Sequence, residues 1–359
     1  MWLFGKYKDL GILFLPVWMI WVILFLLPES VLHAPISLWI WVVVIMGIDV
    51  SHVWSTIFRT YLDKEEFQNH KKTLILAPLL AFVLLFPIAQ ESTQYFWRVL
   101  AYLAVFHFMK QQYGFFAIYS YKAKHQKKHT WFKDQWVLYL SMLYPVLYWH
   151  LNDRSFEWFI ENDFISIPWV MSSTVHYTLE VLYWGVITGW FVEELRYVKK
   201  GYNKLSYGRI LWLGTTILNW YLGIVWFNSD LAFTLTNVVA HGIPYFALVV
   251  FYKVKKQQIQ NVIKSKTALS IAVTIIGLSL VLAGLEEYVW DLFLNHEKEA
   301  FFSKIMAYPD FDLYGSHLET IALVLLSLPQ VTHYILDGFI WKMNASNPYL
   351  KQIINANHE

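Results

Sequence analysis

The sequence predicts an all-α protein: a polytopic integral membrane bundle of about ten transmembrane helices, with both termini cytoplasmic. Three observations carry this expectation. The first is composition. Of 359 residues, 57% are hydrophobic, 19% aromatic and only 15% charged, where soluble domains carry about 25% charged residues. Mean hydropathy, at +0.40, points the same way. The second is that apolar stretches of about 17–25 residues, enough to cross a bilayer, recur along the whole chain. The third is the alternation of basic residues from loop to loop. With a cytoplasmic N-terminus, the cytoplasmic segments hold 23 of the 28 lysines and arginines. The opposite side holds Arg98, Arg154, Lys298 and Lys304, and Lys110 falls inside a span. Such an alternation orients multi-spanning chains and calls for an even number of spans.

The spans are expected at roughly 9–27, 37–59, 73–89, 97–121, 134–150, 173–195, 208–227, 230–252, 266–286 and 317–341. Tryptophan and tyrosine crowd their ends, as an aromatic belt requires. The first follows Lys6 and Lys8 and lacks a small-residue cleavage site, so it reads as a retained span. The second, GIDVSHVWSTIFRTYLD, carries Asp49 and His52 and ends at Arg59, which reads with Arg196 as a headgroup anchor. The fourth, VFHFMKQQYGF, carries His107, Lys110 and Gln111. His176 and Glu180 lie in the sixth. The eighth, TNVVAHGIPYF, carries Asn237 and His241 beside Pro244. The tenth, LPQVTHYILDGFIWK, carries Pro329, Gln330, His333 and Asp337. The longest connections, 151–172 and 287–316, are external, acidic and aromatic, and suit short interfacial helices or a lid. No repeat, low-complexity tract or soluble domain interrupts 1–359, which reads as a single transmembrane domain.

Several classes of chemistry drop out. There is no cysteine, which removes disulfides, thiolate metal sites and cysteine nucleophiles. A net charge of +2, with basic residues distributed by topology, gives no basis for binding nucleic acid. Gly-rich phosphate loops, serine elbows and EF-hand spacings are missing.

What remains is polar chemistry at membrane depth. An Asp, Lys or Arg at a helix centre costs about 2.5–3.5 kcal/mol on insertion scales, so it needs a partner or a role. Nine of the thirteen histidines (33, 70, 125, 129, 150, 176, 296, 317 and 358) lie in loops or near span ends and read as interfacial or solvated. His52, His107, His241 and His333 lie well inside spans, each with polar companions three or four residues away on one helix face. At 1.5 Å per residue all four fall roughly 10–21 Å from their cytoplasmic helix ends. Four imidazoles, with Asp49 and Asp337, thus share one layer, and these are the expected metal ligands, the aspartates as ligands or as orienting groups behind them. Lys110, Gln111, Asn237 and Gln330 are expected to orient ligands or substrate.

Imidazole and carboxylate suit iron, zinc or manganese. Iron is the expected cofactor because a metal within the bilayer reaches lipid-like substrates, on which the chemistry is oxidative and draws on an electron-donor protein. In general plan the chain looks like the histidine-rich membrane oxygenases and desaturases, although their HxxxH and HxxHH boxes are missing. Three alternatives stay open: a haem protein with histidine axial ligands, an acyltransferase using His241 as base beside Asn237, and a proton- or ion-coupled transporter using Asp49, Lys110, Glu180 and Asp337. The expected location is an integral, multi-pass membrane one, the inner (cytoplasmic) membrane if the cell is bacterial.

Overall fold

The computed structural model describes residues 1–124, 128, 130–152, 157–170, 172–260, 268–309, 313 and 317–355. His125, His129, His358, Arg154, Lys127, Lys264 and Lys266 lie outside the described residues, as does the side chain of His317. A helix occupies each of the ten expected segments. In chain order these are α1 (Lys6–Leu26), α2 (Leu38–Arg59), α3 (Lys64–Glu91), α4 (Thr93–Ala123), α5 (Asp134–Leu151) and α6 (Ser173–Lys199). Then come α7 (Tyr207–Trp220, continued as a π-helix over Tyr221–Trp226), α8 (Asp230–Ile259), α9 (Ala268–Asn295) and α10 (His317–Ile340). No strand occurs among the described residues. Six of these helices, α1, α2, α3, α8, α9 and α10, are long and apolar enough to cross a membrane. The other four carry more polar and aromatic residues.

The chain divides into two compact units, residues 1–37, 105–244 and 354–359, and residues 38–104 and 245–353. In the second unit α3 packs along α10. The buried face of α3 is Ala77, Ala81, Leu85 and Ala89, spaced by four, while Leu79, Leu80, Val83 and Leu84 are exposed. Small residues inside and large ones outside are what lipid solvation favours, because contact between helices then depends on close backbone approach. Leu74 and Ala77 meet Leu336 there, flanked by Phe67 and Ile335. A second cluster joins Phe58, Tyr245, Val249 and Ile275 from α2, α8 and α9.

The end of α2 corrects one expectation. Arg59 is not a headgroup anchor: it is 1% exposed. Its guanidinium pairs with Glu66 at 2.5 Å, donates to the Ile340 carbonyl and to Asn347 Oδ1 at 3.0 Å each, and lies 4.0 Å above the Tyr252 ring. Lys256 joins Asp63 and Glu66 at 3.0 and 3.1 Å. Asp63 also caps α3 by accepting from the Glu66 amide. A buried guanidinium is tolerated because both of its terminal nitrogens find acceptors and its face meets a ring. Arg196, by contrast, is exposed.

The connection expected over 287–316 begins later than anticipated, because α9 runs on to Asn295 before a short helix over Glu299–Phe302. Two carboxylates near this end of α9 find partners. Trp54 Nε1 donates to Glu286, and Asp291 accepts from the Lys298 amide at 2.7 Å and from Tyr308 at 3.0 Å.

In the first unit Arg209 on α7 is fully buried, held by Glu194 at 2.7 Å and Asp134 at 2.6 Å. Asp9, also fully buried, accepts from the amides of Leu3 and Phe4 and from the Tyr119 hydroxyl. The 157–167 connection is pinned by Asp163, whose carboxylate accepts from the Trp158 and Phe159 amides at 2.7 Å each.

Candidate metal centre

His52 sits on α2, after a π-helical stretch, Trp41–Val50. Its Nδ1 lies 3.3 Å from the Ile48 carbonyl. A carbonyl only accepts, so Nδ1 carries the proton and Nε2 carries the lone pair. The Asp49 carboxylate stands 3.7 Å from the same Nδ1.

His333, on α10, makes an edge-on contact with His52, with ring centroids 5.0 Å apart. Its Nδ1 is 2.7 Å from Thr56 Oγ1 on α2, one turn below His52. That same hydroxyl is 2.8 Å from the Tyr245 hydroxyl on α8, and Tyr245 donates to Asp337 at 2.8 Å. Asp337 itself lies 3.8 Å from His333 Nδ1. Three helices are thus stitched together by four side chains.

His107 and His241 form a second pair, with rings 4.9 Å apart and edge-on. Phe108 stacks on His241 at 3.7 Å and 11°. Pro244 explains how α8 presents this histidine. Proline has no N–H, so the carbonyl four residues earlier, Ala240, loses its helical donor, and the ring presses on that carbonyl. Gln112 from α4 supplies the missing donor at 3.2 Å. Gln111 donates to the neighbouring His241 carbonyl at 2.9 Å. Two α8 carbonyls around Pro244 therefore accept from side-chain amides of the helix that bears His107.

One ring nitrogen from each of His52, His107, His241 and His333 falls in a group whose members all lie within 4.8 Å of one another. All four residues are buried, at 4% exposure or less. Metal–imidazole bonds of about 2.0–2.1 Å place the nitrogens around one ion about 3–4 Å apart. The spread of up to 4.8 Å is of the same order, so the group is compatible with metal binding.

The other expected residues fall around this group in different ways. Asp49 and Asp337 are not members of it; they stand behind His52 and His333, on the Nδ1 side. Gln111 supports the His241 backbone rather than a ligand atom. Asn237 donates to the Phe233 carbonyl one turn back on its own helix, at 3.0 Å. Gln330 donates to the Tyr334 hydroxyl at 2.7 Å. Lys110 lies on an exposed face, donating to Tyr139 at 3.3 Å and lying 5.3 Å from the Tyr113 ring. Three residues from His107 is 300° around an α-helix, and that offset of 60° carries Lys110 away from the buried face. Glu180 accepts from Tyr221 at 2.7 Å and approaches His176 at 3.6 Å. Thr56, Tyr245 and Gln112 escaped the sequence reading. Gln112 alone had a usable signal, since Pro244 announces an acceptor-rich break that some donor has to fill. Comparison with known protein families, curated proteins and solved structures gives no match to this chain.

Proposed function

We propose that the chain is a membrane-embedded, metal-dependent oxidoreductase that acts on a lipid-like apolar substrate, with His52, His107, His241 and His333 as the metal ligands. The observation that supports this most directly is the gathering of four buried imidazole nitrogens within 4.8 Å of one another. Four buried rings of one chemical type, drawn from four helices, have no packing advantage over leucine, whereas they match the ligand set of a borderline divalent ion. Neutral imidazoles bring no charge, so a dication among them needs compensation in a low-dielectric setting. Asp49 and Asp337, one behind each of two ligands, are the carboxyl groups placed to provide it at one remove.

Iron is the preferred ion, ahead of zinc and manganese, because an apolar substrate within a bilayer offers C–H and C=C bonds to oxidise and few groups to hydrolyse. Bound there, iron would supply oxygen activation. The protein's own residues hold the ion, exclude water through the Phe108 stack on His241, and set the ring orientations. Electrons come from a partner protein on the cytoplasmic side. The topology that goes with this reading has ten spans and both termini cytoplasmic. A single-histidine acyltransferase gains nothing from three further imidazoles, and the amide nitrogen of Asn237 donates to its own helix. A transporter using Lys110 has that lysine on an exposed face.

The test is metal analysis of the purified protein, with an absorption spectrum beside it. One iron per chain, lost in each His→Ala variant, is the expected result. A Soret band would assign haem instead. No stoichiometric metal, or metal kept after all four histidines are replaced, overturns the proposal.

A further inference from the structure

The hydroxyls of Thr56 and Tyr245 help join three helices, but filling the space they occupy does not require a hydroxyl at either position. Both residues are buried, at 3% and 1% exposure. In an apolar bundle, valine and phenylalanine fill the same volumes without a polar atom to satisfy. Their hydrogen-bond directions can be worked out by counting protons. Tyr245 has one hydroxyl proton, and it goes to Asp337. The 2.8 Å contact between Tyr245 and Thr56 therefore uses the proton of Thr56, with Tyr245 accepting. Thr56 then has no proton left, so the 2.7 Å contact with His333 is donated by Nδ1. A neutral imidazole protonated on Nδ1 has its lone pair on Nε2.

From this geometry we infer that Thr56 and Tyr245 are positioning residues for the metal centre. Anchored on Asp337, they hold His333 in its Nδ1–H tautomer and aim the Nε2 lone pair at the ion. The inference rests on the proposed metal reading for its purpose, but the tautomer itself exists with or without metal. Asp337 thus serves the site through two intervening hydroxyls, although it stands within 3.8 Å of the ring. His52 reaches the same tautomer by another route, through the carbonyl of Ile48. The pair His52–His333 consequently offers two Nε2 atoms, each fixed by what its Nδ1 donates to. Such partners behind ligating histidines are worth about 10–100-fold in metal affinity.

The experiment compares Thr56→Val, which keeps the shape and deletes the hydroxyl, with Thr56→Ser, which restores it, and with Tyr245→Phe. The first readout is nitrogen-15 NMR of histidine-labelled metal-free protein, with the His333 signal assigned by its loss in His333→Asn. The second is Co(II) affinity followed by its visible absorption. Wild type and Thr56→Ser are expected to show protonated Nδ1 and bare Nε2 at His333. Thr56→Val and Tyr245→Phe are expected to lose that preference and to bind Co(II) about 10–100-fold more weakly. An Nδ1–H tautomer in Thr56→Val as pure as in wild type overturns the inference. A correct tautomer pattern in a protein that binds no Co(II) keeps the relay and sinks the metal reading, so the two failures are distinguishable.

Discussion

Replacing Gln112 by leucine removes the donor that Pro244 made necessary. The side chain is 5% exposed. Its amide nitrogen serves the Ala240 carbonyl at 3.2 Å, and its amide oxygen accepts from Thr216 at 3.0 Å. In Gln112→Leu, Thr216 keeps its second partner, the Trp212 carbonyl at 2.9 Å. Trp212 Nε1 also keeps its bond, which goes to the main-chain carbonyl of residue 112. The net loss is one buried carbonyl left without a donor, worth about 1–3 kcal/mol. Pro244→Ala returns an N–H at position 244, which gives Ala240 its own helical donor. In that background Gln112→Leu is expected to cost less, with a coupling of about 1–2 kcal/mol between the two sites. Pro244→Ala alone is expected to be neutral or stabilising, yet to alter the backbone beneath His241 and weaken metal retention. Denaturation in detergent followed by tryptophan fluorescence, run as a double-mutant cycle with metal content measured in parallel, reads both effects. Additivity within about 0.5 kcal/mol refutes the pairing of Gln112 with the proline break.

Three further outcomes follow from the second unit and from α4. Arg59→Met breaks a buried pair, worth about 3–5 kcal/mol, and the loss falls at the lower end because Glu66 keeps Lys256 and Tyr252; denaturation midpoints check it. Burial alone would raise the Asp63 carboxyl, but Lys253 and Lys256 overcome that and hold it below its ordinary value of 3.8. A depressed folded pKa gives stability that is fully present above pH 3.8 and lost as pH falls through the lower folded value. Asp63→Asn is expected to flatten that acid limb of the stability profile. Lys110→Ala is expected to leave metal content unchanged and stability within about 0.5 kcal/mol, measured by metal analysis and thermal unfolding.

Helix positions were legible because the length of an apolar run and the 3.6-residue period act locally. The four histidines were legible for a related reason: an imidazole deep in an apolar run is conspicuous, and counting residues from the helix ends gives its depth. What a run of sequence does not contain is the neighbour. Arg59 looked like an anchor because it ends α2; its burial is decided by Glu66 on α3 and Asn347 near the C-terminus. Lys110 looked like a companion of His107 because three residues approximate one turn, yet the remaining 60° places it on another face. Thr56 looked like an ordinary residue of a span, and its role depends on His333, 277 positions away in the chain. Pro244 was visible as a break in α8, but nothing local to α8 says that α4 repairs it.

The fate of Arg59, Lys253, Lys256 and Arg209 bears on how the chain is made. In the proposed topology these residues count among the charges that hold segments on the cytoplasmic side, and that count acts on the nascent chain. In the folded protein the same charges are turned inward, onto Asp63, Glu66, Glu194 and Asp134. Each therefore serves twice, first as an address during insertion and later as a joint between helices. The order is fixed, because carboxylates contribute little to orientation and so leave the address readable until the helices meet. A substitution such as Lys256→Glu then harms the protein at two separable moments, and the orientation of the newly inserted chain distinguishes the first from the second.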